Sequence, residues 1–175
     1  MEFNYCRRCG TELKQIAPTA YKCAKGHSIF SNPVPTVGVF ILTGNDKVML
    51  AVRGIEPHKG MLDTFGGFLD GPETIEEALA REMNEELGLS PEQYEPAVSL
   101  GSGKGRYPFE GEPYPVVTSY FYTHLVGNAN PVPADDVADI RIVDLDNLDM
   151  SELHDDDVRT GVMLLKQALA KEYVA

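Results

Sequence analysis

Three glutamates in one short stretch, Glu82, Glu85 and Glu86, carry the strongest chemical signal in the sequence. At about 100° per helical residue, Glu82 and Glu86 project into the apolar arc of this stretch and Glu85 lies at its edge. Carboxylates three and four residues apart on a helix repel each other by roughly 0.2–0.5 kcal/mol per pair. The helix dipole also disfavours anions in the last turn, at the C-terminal end of a helix. A divalent cation among them removes the repulsion, because Mg²⁺ prefers oxygen ligands. The spacing therefore favours a Mg²⁺ or Mn²⁺ site over an acidic cluster that binds nothing.

A second group of metal-ligating side chains lies near the N-terminus. Cys6, Cys9 and Cys23 are the three cysteines of the chain, and His27 follows closely. The Cys-x-x-Cys spacing lets one tight turn present two thiolates, and tetrahedral Zn²⁺ binds both thiolate and imidazole. We therefore predict a structural zinc site in a module covering residues 1–32. A redox pair of Cys6 and Cys9 is the alternative, but no βαβ pattern surrounds it.

The elements that must position the glutamates follow from caps and periodicity. Thr74 and Glu77 form a capping box and Gly88 marks a helix end, which predicts a helix at about 75–87. An apolar stripe with helical spacing predicts a second helix at about 158–173, its apolar face in the core. Together with β-rich segments between turn residues, these helices indicate an α+β fold with a mixed sheet. The predicted strands cover 36–42, 47–52 (after a turn at 44–45), 64–69, a segment near 98, 116–126 and 140–143, whereas 135–157 is predicted to be mostly loop and solvated surface.

Composition and charge predict one main domain with a small appendage. The chain has 175 residues, of which 43% are apolar, and a net charge of −12; at this length the main fold needs no disulfides. Residues 1–32 carry five basic and two acidic side chains, whereas 33–175 carry ten basic and 25 acidic ones. We therefore predict two domains with this boundary, and the acidic body argues against nucleic acid as a partner.

With no long apolar run and no leader-like start, we expect no membrane segment and a cytoplasmic protein.

Residues 67–89 resemble a known signature over their whole length. Gly67, Glu73 five residues later and the run Arg81-Glu-Met-Asn-Glu-Glu-Leu-Gly-Leu89 match the Nudix box, GX5EX7REUXEEXGU with U aliphatic, at every specified position. The resemblance to Nudix hydrolases implies an α/β/α sandwich around a mixed sheet. It also implies hydrolysis of a nucleoside diphosphate linked to another moiety.

The resemblance assigns roles within the box. It implies that the three glutamates and the carbonyl of Gly66 bind the catalytic metal, and that Arg81 and Glu73 brace the loop and the helix. Phosphoryl transfer to water needs charge neutralisation and in-line positioning, which bound Mg²⁺ supplies. Glu82 is also a candidate base. Its rivals are acids of later segments, of which Asp136 ranks first for its spacing before the strand at 140–144: Glu110, Glu112, Asp135 and Asp136.

The N-terminal residues are similar to those of zinc-ribbon Nudix enzymes. The cysteine module runs through Phe30-Ser-Asn-Pro33 into the first strand, and Arg53-Gly-Ile-Glu-Pro-His-Lys-Gly60 also resembles that group. The group includes NADH pyrophosphatases and relatives acting on ADP-ribose or FAD, which implies a role for Arg53 in substrate binding and a homodimer. The SQPWPFP array of NADH pyrophosphatases is missing, since 99–109 reads differently and the chain has no Trp. This departure counts against NADH as the substrate.

A Gly-rich stretch after the box carries further substrate-binding candidates. Arg106, Tyr107 and Phe109, with Lys104, are predicted to lie in a loop that closes over a nucleotide, the rings stacking on the base and the cations meeting phosphates. The alternative is a mobile hairpin tip. Two other functions stay open, a non-catalytic nucleotide sensor and an RNA-directed, decapping-type hydrolase.

Overall fold

The computed structural model describes most of the chain in three segments, residues 3–43, 47–109 and 111–172. The predicted turn at 44–45 lies outside these segments. Within them, no helix combines the length and apolarity needed to cross a bilayer. Contacts between Cα atoms divide the chain into two compact units, Met1–Val34 with Arg106–Pro115, and Pro35–Gly105 with Val116–Ala175.

The first unit contains a small antiparallel sheet of three strands, β1 (Leu13–Ala17), β2 (Ala20–Cys23) and β3 (Ser28–Phe30), in that order. One face of this sheet packs against the N-terminal segment. The core formed there is small: Cys6, Leu13, Cys23 and Ile29. A core of this size contributes little stability on its own, so such modules usually need a metal or a disulfide.

The second unit is built on a six-stranded mixed sheet in the order β6-β5-β4-β8-β7, with β9 paired to β5. The β5–β9 ladder is antiparallel and runs from Lys47 opposite Asp144 to Arg53 opposite Val137. This long pairing places the residues before β9 beside the end of β5. The strands are β4 (Val34–Leu42), β5 (Lys47–Arg53), β6 (Leu62–Asp63), β7 (Val98–Phe109), β8 (Glu112–His124) and β9 (Val137–Asp144).

Two helices, α1 (Ile75–Leu87) and α2 (Asp156–Glu172), cover opposite faces of this sheet. Successive residues of a strand point to opposite faces, and β4 shows the consequence. Its Val39 and Ile41 pack in the cluster that contains α1, whereas Phe40 packs in the cluster that contains α2. The predicted α+β sandwich around a mixed sheet is confirmed.

The predicted bounds of α1 are confirmed. The Thr74 hydroxyl accepts from the backbone N–H of Glu77, and the Glu77 carboxylate accepts from the backbone N–H of Thr74. At the other end Gly88 adopts the left-handed conformation with φ 65°. These two caps fix the helix register and therefore the direction of every side chain on it.

The prediction of a strand at 64–69 is wrong. The strand β6 ends at Asp63, and beyond it Phe65 and Phe68 form only isolated bridges to β4. Gly66 between them has φ 131°, which an ordinary strand residue does not adopt. The glycine pair therefore breaks the strand and turns the backbone towards α1.

Two loop predictions are also wrong. The Gly-rich stretch that ends at Phe109 is the second half of β7, because its glycines serve close packing: a Cβ at Gly103 would lie 2.2 Å from Oδ1 of Asp157. The acidic stretch 135–157 contains the predicted strand at 140–143 within a longer β9, and in place of loop it also contains a 3-10 turn (Met150–Glu152) and the start of α2. In this stretch Asp157 is buried rather than solvated.

Candidate active site

Arg81 links the helix to the loop that precedes it. Its Nη1 donates to Oε1 of Glu82 at 2.8 Å and to Oε2 of Glu85 at 2.9 Å. Its Nη2 donates to Oε1 of Glu73 at 2.7 Å and to the carbonyl of Phe68 at 2.9 Å. One guanidinium therefore holds two acids of the helix face and two groups of the loop in fixed positions.

The carboxylates of Glu82 and Glu86 lie under the loop after β6. Glu86 is 3% exposed, and its Oε2 accepts a 2.8 Å hydrogen bond from the backbone N–H of Gly66. Glu82 is 7% exposed, and its Oε1 lies so close to the backbone that a Cβ at Gly67 would be 2.6 Å away. The two acids projecting into the apolar arc are thus buried, as the helical spacing predicts, whereas the side chain of Glu85 is 47% exposed.

Burial makes it costly for these acids to be ionised together. Burial first, and then the nearby Asp136 and Glu82, raise the pKa of Glu86 to about 10, while the Gly66 N–H acts in the opposite direction. Burial also raises the pKa of Glu82, although Arg81 opposes the shift. Without a cation between them, burial disfavours the charged form of both carboxylates.

Asp136 is the rival acid that the structure brings to this cluster. The backbone N–H groups of Val132 and Ala134 donate to the carbonyls of Leu87 and Glu86, at 3.0 and 2.9 Å, and so fasten the segment before β9 to the end of α1. The Asp136 carbonyl accepts from the N–H of Gly54 at 2.6 Å, which joins the same segment to the end of β5.

The other candidate bases are placed differently. Asp135 is exposed and has φ 52°. Glu112 is exposed at the start of β8 and belongs to the first unit. Glu110 lies outside the described residues. Of the later candidate acids within the described segments, Asp136 is therefore the one that lies beside Glu86.

A small cleft, open to solvent and called the pocket below, lies beside these acids. Arg53 is buried in its wall, where Nη1 contacts Oδ2 of Asp63 at 2.6 Å and Nε donates to the carbonyl of Pro57 at 2.8 Å. The pocket therefore combines acidic groups that suit a cation with a guanidinium that suits a phosphate. Its lining residues are Ala51, Arg53, Asp63, Thr64, Gly66, Glu86, Asp136 and Val137.

Asp63 and its partner His154 were not among the sequence candidates. Burial raises the pKa of Asp63, but the hydrogen bond and charge of His154 and the charge of Arg53 outweigh it, so the net shift is downward. In the sequence, Asp63 stands alone and His154 lies 91 residues further along the chain. No local pattern could have joined them.

The remaining substrate-binding candidates lie on another part of the chain. Arg106, Tyr107 and Phe109 belong to the last residues of β7, which fall in the first unit. Their proposed role in binding the substrate stays a prediction.

The four predicted zinc ligands converge within the first unit. One ligand atom from each of Cys6, Cys9, Cys23 and His27 lies within 4.8 Å of the others. Sγ of Cys6 is 3.6 Å from Nδ1 of His27, and Sγ of Cys9 is 3.7 Å from Sγ of Cys23. A hydrogen bond from Thr11 lowers the pKa of Cys9 to about 6, which favours the thiolate that metals bind. The cluster could hold a tetrahedral metal ion.

The donor atoms of the acidic cluster fit a hard divalent cation. Glu82, Glu86 and Asp136 offer carboxylate oxygens only, and two of the three are buried acids whose ionisation a cation would favour. Oxygen-only donors suit Mg²⁺ and Mn²⁺ rather than Zn²⁺.

Comparison with known proteins gives the same family as the Nudix box. The family model NUDIX domain matches residues 32–164. The ADP-ribose pyrophosphatase of Methanocaldococcus jannaschii is 32% identical over 124 residues, which is 71% of this chain and 69% of that protein. The NAD-capped RNA hydrolase NudC of Deinococcus radiodurans is 31% identical over 93 residues, which is 51% of this chain but only 33% of that protein.

Solved structures agree on the fold. A NUDIX hydrolase from Nitrosomonas europaea matches with a TM-score of 0.68 at 20% identity. The match covers 99% of this chain and 94% of that protein's chain. The NUDIX domain of Shewanella oneidensis NrtR, complexed with ADP ribose, matches with a TM-score of 0.61 at 21% identity, over 80% of this chain and 90% of its own. With the intact box on α1 and the matching family model, the chain belongs to the Nudix family of hydrolases.

Proposed function

We propose that this protein hydrolyses the pyrophosphate bond of a nucleoside diphosphate linked to another moiety, with ADP-ribose as the leading substrate. The observation that carries the proposal is the pocket in which Glu86 and Asp136 lie beside the anchored Arg53. Cleavage of a pyrophosphate by water needs carboxylates that bind a metal ion and a fixed positive group, here a guanidinium, that binds a phosphate.

The Nudix glutamates are the proposed holders of the catalytic metal. Glu82, Glu85 and Glu86, with the carbonyl of Gly66, would bind Mg²⁺ or Mn²⁺. When bound, the ion neutralises phosphate charge and lowers the pKa of bound water. Arg81 orients two of these acids through its contacts to Glu82 and Glu85.

Other residues of the pocket bind and orient the substrate. Arg53, held by Asp63, donates to an oxygen of the pyrophosphate. Asp136 accepts the proton of the attacking water. We assign this step to Asp136 rather than to Glu82 because Oε1 of Glu82 already accepts from Arg81 and that residue is almost fully buried.

ADP-ribose leads the substrate list because this chain matches 69% of the relative named for it, at 32% identity, but 25–50% of the relatives named for NAD-linked compounds. NAD-linked compounds, NAD-capped RNA among them, are the second candidates, since relatives named for them match between half and 84% of this chain. Against NADH stands the missing SQPWPFP array.

The cysteine cluster is the proposed site of a structural zinc ion. The ion would hold the small sheet of the first unit together, since its apolar core is formed by a few residues. We propose residues 1–32 as the zinc-ribbon module and 33–175 as the Nudix domain, and we expect a homodimer, which sedimentation would test.

A substrate screen tests the proposed function. Purified protein would be incubated with ADP-ribose, FAD, NADH and NAD-capped RNA, each with Mg²⁺ or Mn²⁺, and mononucleotide release followed by chromatography. We expect metal-dependent release of AMP from ADP-ribose, and a loss of at least about 100-fold in Glu86→Gln. Nucleotide binding without hydrolysis of any compound would instead identify a sensor and reject the proposal.

A further inference from the structure

His154 is a largely shielded histidine that contacts Asp63, a residue of the pocket wall. Its side chain is 9% exposed, and Nε2 lies 3.0 Å from Oδ2 of Asp63. The centroid of its ring lies 5.5 Å from that of His58, with the two planes inclined by 33°. One imidazole therefore contacts both an acid at the end of β6 and the loop between β5 and β6.

Both contacts lead to the same guanidinium. The Asp63 oxygen that meets His154 also pairs with Nη1 of Arg53 at 2.6 Å, and the other Asp63 oxygen accepts from the backbone N–H of Thr64 at 2.7 Å. Nε of Arg53 donates to the carbonyl of Pro57, the residue immediately before His58. His154 thus touches one of the groups that orient Arg53, the Asp63 carboxylate, and it touches the residue that follows the other, the Pro57 carbonyl.

The backbone fixes His154 independently of these side chains. Its N–H donates to the carbonyl of Leu62 at 3.1 Å, and Leu153 forms a parallel bridge with Leu62. The backbone that carries the imidazole is therefore hydrogen-bonded to β6 and is not a free loop.

The orientation of the Arg53 guanidinium affects ligand binding, because Arg53 contributes to the pocket wall together with Glu86 and Asp136. An arginine side chain has many rotamers, and each one that must be excluded when the ligand binds reduces the affinity. A guanidinium already oriented by Asp63 and Pro57 avoids much of that loss.

We propose that His154 is a positioning residue: through Asp63 and the loop residue His58, it holds Arg53 in the orientation that binds the substrate's pyrophosphate. The inference rests on the proposed function for the identity of the ligand. It adds a side chain from the segment between β9 and α2, remote in sequence from the Nudix box.

The test compares variants that remove one contact each. His154→Phe keeps a ring near His58 but removes the donor to Asp63, whereas His154→Gln restores an N–H donor. We expect His154→Phe to raise KM for ADP-ribose about tenfold with kcat within about twofold, and His154→Gln to recover most of the affinity. The control is His124→Phe on β8, an exposed histidine that pairs with Glu95; it should leave both constants unchanged.

A double-mutant cycle separates positioning from general structural support. In an Arg53→Met background, His154→Phe should have no further effect on KM, because the group that it orients is gone. Equal effects of His154→Phe in both backgrounds would overturn the inference, as would an unchanged KM in the single variant. If His154→Phe does not fold, His58→Ala at an exposed site replaces it in the cycle, with an expected rise in KM of about threefold.

A binding measurement separates this inference from the proposed function. The Kd of ADP with Mg²⁺ is measured by calorimetry for the same variants. If the parent hydrolyses none of the compounds but binds ADP through Arg53, and His154→Phe weakens that binding about tenfold, the inference holds and the proposed activity fails. If the parent does not bind ADP, or Arg53→Met leaves its Kd unchanged, the inference is overturned.

Discussion

The backbone N–H of Gly66 donates to Oε2 of Glu86 across 2.8 Å, and this bond joins the loop after β6 to the buried face of α1. Loop and helix come from separate parts of the Nudix box region, 20 residues apart. Their meeting point is also the wall of the pocket, so one hydrogen bond couples the conformation of the loop to the placement of a carboxylate.

Glu86→Gln should stabilise the metal-free protein. The pKa of Glu86 is raised from 4.5 to about 10 in the folded chain, so the favourable contribution of its protonated form is complete below pH 4.5 and is lost as the pH rises towards 10. In EDTA we expect the Tm of Glu86→Gln to exceed that of the parent by a margin that widens between pH 5 and pH 9. Each kcal/mol corresponds to about 2–4 °C in a chain of this size.

Adding Mg²⁺ should reverse this order, because the ion stabilises the parent by binding its folded state and binds the variant weakly. Glu76→Gln, an exposed position on the same helix, is the control and should show neither effect. A pH-independent gap in EDTA would contradict the assignment of the raised pKa to Glu86.

Gly66→Ala should unfold the loop or abolish activity. A Cβ at this position would lie 2.2 Å from the carbonyl oxygen of Val37, and φ is 131°. Gly71→Ala is the matched control, since Gly71 also has a positive φ of 54° but no atom within 4 Å of the added Cβ. Thermal melting and turnover of both variants check the prediction; equal losses would mean that backbone strain alone, and not the approach to β4, explains Gly66.

Asp136→Asn should lower kcat about 100-fold or more, the usual contribution of a general base, which steady-state kinetics would measure. Asp135→Asn provides the control, because this neighbour is exposed and asparagine tolerates its positive φ. An unchanged kcat in Asp136→Asn would exclude Asp136 as the base and leave Glu82 as the candidate.

Thr74→Ala should destabilise the fold by about 1 kcal/mol, because it removes the side chain that caps α1, and so lower the Tm by about 2–4 °C. Thr74→Ser keeps the hydroxyl that accepts from Glu77 and should stay near the parent. Calorimetric melting of both proteins measures the difference; a Tm loss as large in Thr74→Ser would show that the methyl group, rather than the cap, matters.

The cysteine cluster should bind one zinc ion per chain. Elemental analysis should find about one equivalent in the parent and in His124→Ala, and much less in His27→Ala and Cys23→Ser, because four ligands complete the tetrahedral site. Full zinc content in His27→Ala would exclude the imidazole from the ligand set.

Local sequence rules were sufficient for the elements that they govern. The bounds of α1 follow from Thr74, Glu77 and Gly88, and the burial of Glu82 and Glu86 follows from helical spacing. Both depend on contacts within a few residues, which a pattern can represent.

Glycines misled the prediction because they have more than one use. Around Gly103 they suggested a loop, but they let β7 approach Asp157, a contact 54 positions away along the chain that no local pattern shows. The pairing of Asp63 with His154 was unpredictable for the same reason, since only the folded chain brings β6 next to the segment after β9.

The segment Pro131-Val-Pro-Ala134 has amide hydrogens only at its second and fourth residues, since proline has none. These are the two hydrogens that reach the last carbonyls of α1. Slipping by one residue in either direction would set a proline ring against at least one acceptor, so the observed alignment alone satisfies both carbonyls. Insertions or deletions here would turn Asp136 away from its neighbours, and the length of this connection is therefore as constrained as its sequence.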